Sequence, residues 1–533
     1  MNEVETPVLI VGGSLVGLSA GVFLGARGVR CLVAERHPGT AIHPRAALVN
    51  QRTMETYRAI GLEQAIEEAA AREFVQNGAI VSVESLAGKE LDYYFRTINE
   101  GVEELSPSKR IFITQIGLEP VLLGKAKELG VDVQHSREVV SLEQDGDGVT
   151  AVLRSRDSGD EQRVRAQYVI GADGPRSPTR ERLGIGTLGH GSFSDSITIY
   201  FRADVMPLLG DRNLSVIYVF NPNLVGFFRF SIDGQAGFLV VNATVDPDGN
   251  RSVAVGEDMS ENTCIEYCRL ALGAPDLPIE IENVQRWSSM ADWAERFSEG
   301  RVLLAGDSVH VMPPTGGFGG NTGVQDAYDL AWKLAAVLDG TAGPGLLDTY
   351  DAERRPVGSF TVEQAYTRYV LRLDPSLGKE NLVPIVDEAT VELGYRQLSD
   401  SVQVEDGDDR GLWEDPREPT ARPGMRAPHL PVDRNGTASS LLDLFGGGFV
   451  LLAGEGSSGW EEAAGRLDVP VTTYRAGTDF RDDSGRFSEL YGVGEEGATL
   501  VRPDGFVAWR TQGGPESEGD ALADAVADAL ARA

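Results

Sequence analysis

Residues Val8-Leu9-Ile10-Val11 form a short uninterrupted apolar run, the pattern of a strand buried on both faces of a parallel sheet. A glycine-rich turn follows, Gly12-Gly13-Ser14-Leu15-Val16-Gly17, and Leu18 to Arg27 then predicts a helix stopped at Gly28. A second strand, Arg30 to Ala34, ends at Glu35. The apolar signature returns twice. Tyr168 to Ile170 predicts a strand that delivers Asp173-Gly174 into a turn, after which Ser177 is placed to cap a helix. Arg301 to Ala305 predicts another buried strand, ending at Asp307. A Gly/Pro loop from Pro313 to Asn321 then opens a helix with Ala327, Leu330, Ala331, Leu334, Ala335 and Leu338 at three-four spacing. Between these motifs the period changes. Phe228, Phe230 and Ile232 alternate with Arg229 and Ser231, and Asn221-Pro222-Asn223 marks a turn between two such strands. Phe193 to Phe238 holds nine aromatics in 46 residues. This predicts a second, largely antiparallel sheet with one apolar face, the expected substrate wall.

Residues 345–398 read as helical, with Glu353, Arg354 and Arg355 as a solvated or salt-bridged face. Composition shifts over 400–437, where Asp, Glu, Arg, Pro and Gly dominate, and an exposed linker is expected there. Beyond it, Phe449 to Ala453 and Val471 to Tyr474 predict strands on either side of a helix from Trp460 to Leu467. Thr499 to Arg502 and Phe506 to Trp509 flank Pro503-Asp504-Gly505, a hairpin signal, and a last helix runs from about Asp520 to Arg532.

Charge narrows the function. The 533 residues, enough for two to four domains, carry 48 basic and 81 acidic groups, a net −33. Nucleic-acid and anionic-membrane partners are disfavoured, since both need a basic face. Thr6 to Ala26 is 21 residues without a charge, yet no basic residue precedes it and glycines dilute it. A dinucleotide turn explains it better than a signal peptide or a membrane span. Three cysteines, Cys31, Cys264 and Cys268, make no disulfide framework, so a reducing, cytoplasmic setting is expected. Cys264 and Cys268 fit a half-buried helix face. Six scattered histidines, His310 among them as a polar loop contact, indicate no metal site.

The first motif has a physical rationale. Gly12 permits the tight turn, Gly17 lets helix and strand approach, and the helix N-terminus offers free N–H groups to a pyrophosphate. Glu35 is placed to accept ribose hydroxyls. Ser14 stands where the fingerprint has its middle glycine, and its hydroxyl offers a hydrogen bond in place of close approach.

Taken with Gly171-Ala172-Asp173-Gly174-Pro175-Arg176 and Gly306-Asp307 before Pro313-Pro314, this chain resembles the class A flavoprotein monooxygenases, the para-hydroxybenzoate-hydroxylase-like family. Within it, it is most similar to the aromatic polyketide hydroxylases of antibiotic pathways. Pro44-Arg45-Ala46, Arg52-Thr53-Met54-Glu55, Gln115, Gln325-Asp326 and Leu347 to Pro356 extend the match over nearly the whole length. The resemblance implies an α/β architecture with a discontinuous Rossmann-like FAD-binding domain (1–185 and 285–345). A substrate sheet (186–284), a helical segment (346–399) and a thioredoxin-like C-terminal domain (438–533) complete it, the last without cysteine. FAD contacts are implied for Gly12, Ser14, Leu15, Val16, Gly17, Glu35, Arg36, Arg45, Gln115, Val139, Asp173, Arg180, Asp307, Pro314, Gly319, Gly320 and Asn321. Catalytic roles are expected for Arg45 and Pro314 from the resemblance, for Tyr218 as a polar contact on the aromatic strands, and for Arg372 as a cation that favours a phenolate.

The implied reaction consumes NADPH or NADH and dioxygen, and hydroxylates an electron-rich ring through a C4a-hydroperoxyflavin. The expected substrate is a flat polycyclic phenol or quinone. Arg202, Arg212 and Arg229 are the only basic residues of the aromatic stretch, and Arg229 alternates away from the Phe228/Phe230 face. Oxygen insertion or epoxidation on the same scaffold, a flavin-loaded binding protein without turnover, and a homodimer stay open.

Overall fold

The structure is a computed structural model that describes residues 2–42, 47–245, 251–252 and 259–532. Its first layer is an eight-stranded sheet built on Asn2–Val11, which runs parallel to Cys31–Ala34 on one side and to Glu161–Gly171 on the other. Val302–Leu304 continues the sheet in parallel beyond Glu161–Gly171. The registers pair Val11 with Ala34 and with Gly171, and Gly171 with Leu304. The carboxyl ends of four strands therefore stand side by side, and Gly12, Glu35, Asp173 and Asp307 leave the sheet along one edge. Ligands of open α/β sheets bind at that edge.

The second sheet has nine strands. It runs from His310–Val311 through Glu280–Ala294, Thr187–Arg202, Ala236–Val245, Leu224–Phe230 and Leu214–Asn221 to Ala79–Val83 and Glu90–Phe95, with Arg251–Ser252 paired off this path to Ala236–Val245. Two boundaries change as a result. Residues 79–95, expected in the FAD-binding unit, belong to the substrate sheet, because Ala79–Val83 pairs in parallel with Leu214–Asn221. Residues 285–294 do too, since Glu280–Ala294 pairs along the whole of Thr187–Arg202. Neither long-range pairing has a local signal. One face of the sheet packs Ile217, Val219, Phe228 and Phe230 against Cys264 and Cys268 of the helix Glu261–Leu272, and both thiols are fully buried.

The helix Asp348–Arg372 joins the layers. Glu353 and Arg354 were expected on a solvated or salt-bridged face; both are salt-bridged, and both are buried because each has a buried partner of opposite charge. The C-terminal sheet has the order Val471–Arg475, Phe449–Ala453, Ala498–Val501, Val507–Thr511, parallel for the first pair and antiparallel after it. The expected linker, 400–437, is not an exposed tether. Gly424, Met425 and Ala427 exchange backbone hydrogen bonds with Gly505 and Val507, and Ala421, Met425, Ala427 and Leu430 are buried. Some of its polar residues are paired, Asp408 with Arg396 and Arg422 with Asp409. Among the described residues, no helix is long and apolar enough to cross a membrane.

Candidate active site

The fingerprint turn is built by close approach. Gly12 has φ +102°, and a Cβ there would lie 2.2 Å from the Ala172 carbonyl oxygen. A Cβ on Gly17 would lie 1.9 Å from the Gly12 oxygen, so the helix Leu15–Ala26 sits directly on the turn. Glu35 is buried. One carboxylate oxygen accepts from Gly13 N–H at 2.6 Å, the other from His37 N–H at 2.7 Å. Ser14 occupies the N-cap position without capping; its hydroxyl donates to Glu119 Oε1 at 2.5 Å. Gln115 Nε2 donates to both Ser14 Oγ and Glu119, and the Ala41 N–H to the other Glu119 oxygen. Burial raises the Glu119 pKa, and its hydrogen bonds only partly offset this. Glu119 was missed in the sequence because it sits mid-helix with no motif around it.

The second turn faces the first. Gly306 has φ +65°, and Val16 fills the space against Gly306 and Gly323. Gly306 N–H donates to Asp326 at 3.0 Å, and the same carboxylate binds His310 Nε2 at 2.7 Å and Arg354 Nε at 2.8 Å. Burial alone would raise Asp326, but His310 and Arg354 hold it below the ordinary carboxylate range. His310, expected as a polar loop contact, makes that contact as a buried partner of this cluster. Asp307 is exposed at the head of the turn. Asp173 accepts from Ser177 Oγ and Thr179 N–H, fixing the start of the short helix Pro178–Arg182. Arg180 donates to the Ser308 carbonyl at 2.7 Å.

Beside the first turn lies a narrow cleft lined by Leu15, Leu48, Val49, Thr53, Tyr57, Ile113, Gln115, Leu118, Gly320, Asn321 and Val324. Asn321 fixes its floor: Oδ1 accepts from Asn50 N–H, and Nδ2 donates to the Leu48 and Gly317 carbonyls. Pro314 is exposed and its carbonyl accepts from Gly317 N–H in a tight turn before Gly319 and Gly320. Four expected residues, Leu15, Gln115, Gly320 and Asn321, therefore meet in one cleft, and Thr53 and Tyr57 join them without having been singled out. Arg36 is exposed beyond Glu35, and Val139 is buried on a strand whose first residue, Arg137, donates its N–H to the Glu35 carbonyl. Arg45 lies outside the described residues.

The Phe228/Phe230 face, expected to form the substrate wall, is covered by the helix Glu261–Leu272. Phe228 and Phe230 point into the core. Tyr218, Phe220 and Phe227 point to the helix Asp348–Arg372, where Tyr369, Leu373 and Phe193 meet them. Arg229 shares this face, buried between the Phe74 and Phe112 rings at 3.8 and 3.9 Å, and donates to the Ala47 carbonyl. Burial pushes its pKa down to about 9. Tyr218 packs edge-on against Tyr94 at 5.5 Å, and the Arg372 guanidinium lies 5.1 Å from the Tyr94 ring. Burial pushes Tyr218 up to about 12, with Arg372 pulling the other way. Arg372 is itself paired with Glu388 at 3.1 Å.

Comparison with known proteins decides the family. An FAD-binding-domain family model matches residues 5–365, and an aromatic-ring hydroxylase C-terminal model matches 420–533. The chain belongs to the FAD-dependent aromatic-ring hydroxylases. It is 48% identical to a 4-methyl-5-nitrocatechol 5-monooxygenase of Burkholderia, over 99% of this chain and 98% of that one. It is 40% identical to an aklavinone 12-hydroxylase of Streptomyces purpurascens, over 96% of each. A crystal structure of aklavinone-11 hydroxylase with FAD and aklavinone superposes with a TM-score of 0.93 at 39% identity, covering all of both chains. This hydroxylase is a flavin-dependent monooxygenase, and its cofactor is FAD. The geometry fits that group: the turn has no room for a Cβ at Gly12 or Gly17, Glu35 is buried at its end, and the cleft is lined by Gly320 and Asn321.

Proposed function

We propose that this hydroxylase uses NAD(P)H and dioxygen to hydroxylate a phenolic ring of a polycyclic, polyketide-like substrate. The observation that carries the reading is the buried Tyr218 hydroxyl on an aromatic wall within electrostatic reach of Arg372. Bound FAD supplies the activation of dioxygen and its delivery to the ring. The chain's own groups bind and bias the ring. Tyr94, Phe220 and Phe227 offer apolar faces to a flat substrate. Arg372 places positive charge beside the wall, which favours the phenolate and so a more electron-rich carbon. Glu388 anchors that arginine and is kept ionised by Arg368 and Arg372 against the cost of burial. Tyr218 stays protonated at neutral pH, so it donates its hydroxyl proton to a phenolate or carbonyl oxygen rather than acting as a base. Gly12, Ser14, Glu35, Gln115, Asp307 and Asn321 would hold the cofactor.

Arg229 does not serve as a carboxylate clamp on this wall, because two phenyl rings cover it and Ala47 takes one of its donors. This favours a neutral multi-ring substrate over a small carboxylated ring. A second reading, a single-ring nitrocatechol, is favoured by the Burkholderia relative. Substrate-stimulated NADPH oxidation with product mass, run on substituted nitrocatechols beside tri- and tetracyclic phenols, separates the two. Coupled hydroxylation of the polycyclic set supports the first reading; coupling on single rings alone overturns it. Tyr218→Phe and Arg372→Met should each lower coupled turnover by roughly 10²-fold while leaving FAD bound.

A further inference from the structure

The C-terminal domain has no thiol and no residue in the cleft, yet its hairpin turn Arg502-Pro503-Asp504-Gly505 is buried inside the FAD-binding unit. Arg502 is fully buried. It donates to Glu353 through Nη1 at 2.6 Å and Nη2 at 3.0 Å, to Gln397 Oε1 at 2.7 Å and to Asp504 Oδ2 at 2.5 Å. Asp504 Oδ2 also accepts from Trp332 Nε1, and its main-chain carbonyl accepts from Arg52 Nη2 at 2.6 Å. Lys333 completes the cluster, 2.7 Å from Glu353 and 3.0 Å from Asp329. Asp329, Glu353 and Asp504 bring carboxylate oxygens within 4.8 Å of one another. The positive charge they need comes from Lys333 and Arg502.

Three helices converge on this turn, and each lies close to the cleft or to the Gly306 turn. Arg52, on the helix Gln51–Arg58, precedes Thr53 of the cleft. Glu353 precedes Arg354, which holds Asp326 and through it the Gly306 N–H. Asp329 and Lys333 lie on Phe318–Leu338, the helix that begins with Gly320 and Asn321 in the cleft. A shift of the turn moves all three helices relative to one another, since close-packed interiors transmit displacement.

We propose that the Arg502–Gly505 turn is a positioning element of the FAD site, setting the cleft through Arg52, Glu353 and Lys333, and that this is the function of the C-terminal domain in this enzyme. Losing the bidentate fork should loosen the cofactor even where the charge is kept, because lysine cannot hold Glu353, Gln397 and Asp504 in one plane.

The test uses the full chain. FAD dissociation constants and the visible circular dichroism of the bound flavin are measured for the unaltered protein, Arg502→Lys and Arg396→Lys. The last is a control at an equally buried arginine whose partners, Asp408 and the Pro423 carbonyl, bear on none of the three helices. The expected result is at least a tenfold weaker FAD complex with an altered flavin band for Arg502→Lys, and less than a twofold change for Arg396→Lys. FAD affinity within twofold and an unchanged band for Arg502→Lys, or equal losses in both variants, would overturn the proposal. If Arg502→Lys yields no folded protein, Asp504→Asn, which keeps the carbonyl used by Arg52, is read against the same two thresholds.

Discussion

At the scale of single residues, the account rests on positions where one atom more is too many. Gly17 is the sharpest. Its absent Cβ leaves the helix resting on the Gly12 carbonyl, and any side chain must push helix and strand apart. Gly17→Val should therefore abolish FAD binding and cost about 3 kcal/mol of stability by overpacking. Flavin absorbance after reconstitution, together with a urea titration, checks both. The cysteines make the opposite case. Cys31, Cys264 and Cys268 are buried and form no disulfide, and burial pushes the Cys31 thiol up to about 12. None is poised as a thiolate nucleophile. Replacing all three by alanine should leave flavin reduction by NADPH intact, with a packing loss of about 1 kcal/mol per site. Stopped-flow reduction of the folded triple variant is the measurement, and loss of reduction would contradict this reading. These residues were legible because their signals are local: a glycine spacing, a missing C-x-x-C.

At the scale of elements, the parallel strands and their terminal Gly12, Asp173 and Asp307 were legible because each strand reads as an apolar run closed by a turn. The helix Asp348–Arg372 was legible as a helix, but its buried charges were not. Glu353 and Arg354 read as solvated or salt-bridged in one dimension, and their burial is set only when Arg502 and Asp326 arrive from elsewhere in the chain. The aromatic face was misjudged for a related reason. Alternation separates the two faces of Leu224–Phe230 but does not say which face the helix Glu261–Leu272 covers. The segment 400–437 failed through composition, since some of its polar residues are paired. Its single histidine gives a pH signature. His429, hydrogen-bonded to Ser440 Oγ, has its pKa lowered to about 4 by burial and then by Arg426. Between about pH 6.5 and 4 the unfolded chain binds a proton there that the folded chain does not, so stability falls as pH drops through that window. His429→Asn should flatten the dependence by about 2 kcal/mol relative to the unaltered protein. Urea midpoints at pH 7 and pH 4.5 read it; a parallel fall in both proteins would show that His429 carries none of it.

At the scale of the whole molecule, three units share one purpose. The first sheet brings four strand ends to a cofactor edge, the second presents an aromatic wall with Tyr218 and Arg372, and the C-terminal hairpin ties the helices between them. The central claim is that this assembly delivers one atom of dioxygen to an aromatic ring. The most direct test is turnover of a polycyclic phenol by the FAD-loaded protein with NADPH under 18O2, followed by product mass. The account predicts one 18O in the product and one NADPH consumed per product formed. Product oxygen drawn from water, or NADPH oxidation that yields only hydrogen peroxide across the whole substrate panel, would contradict it.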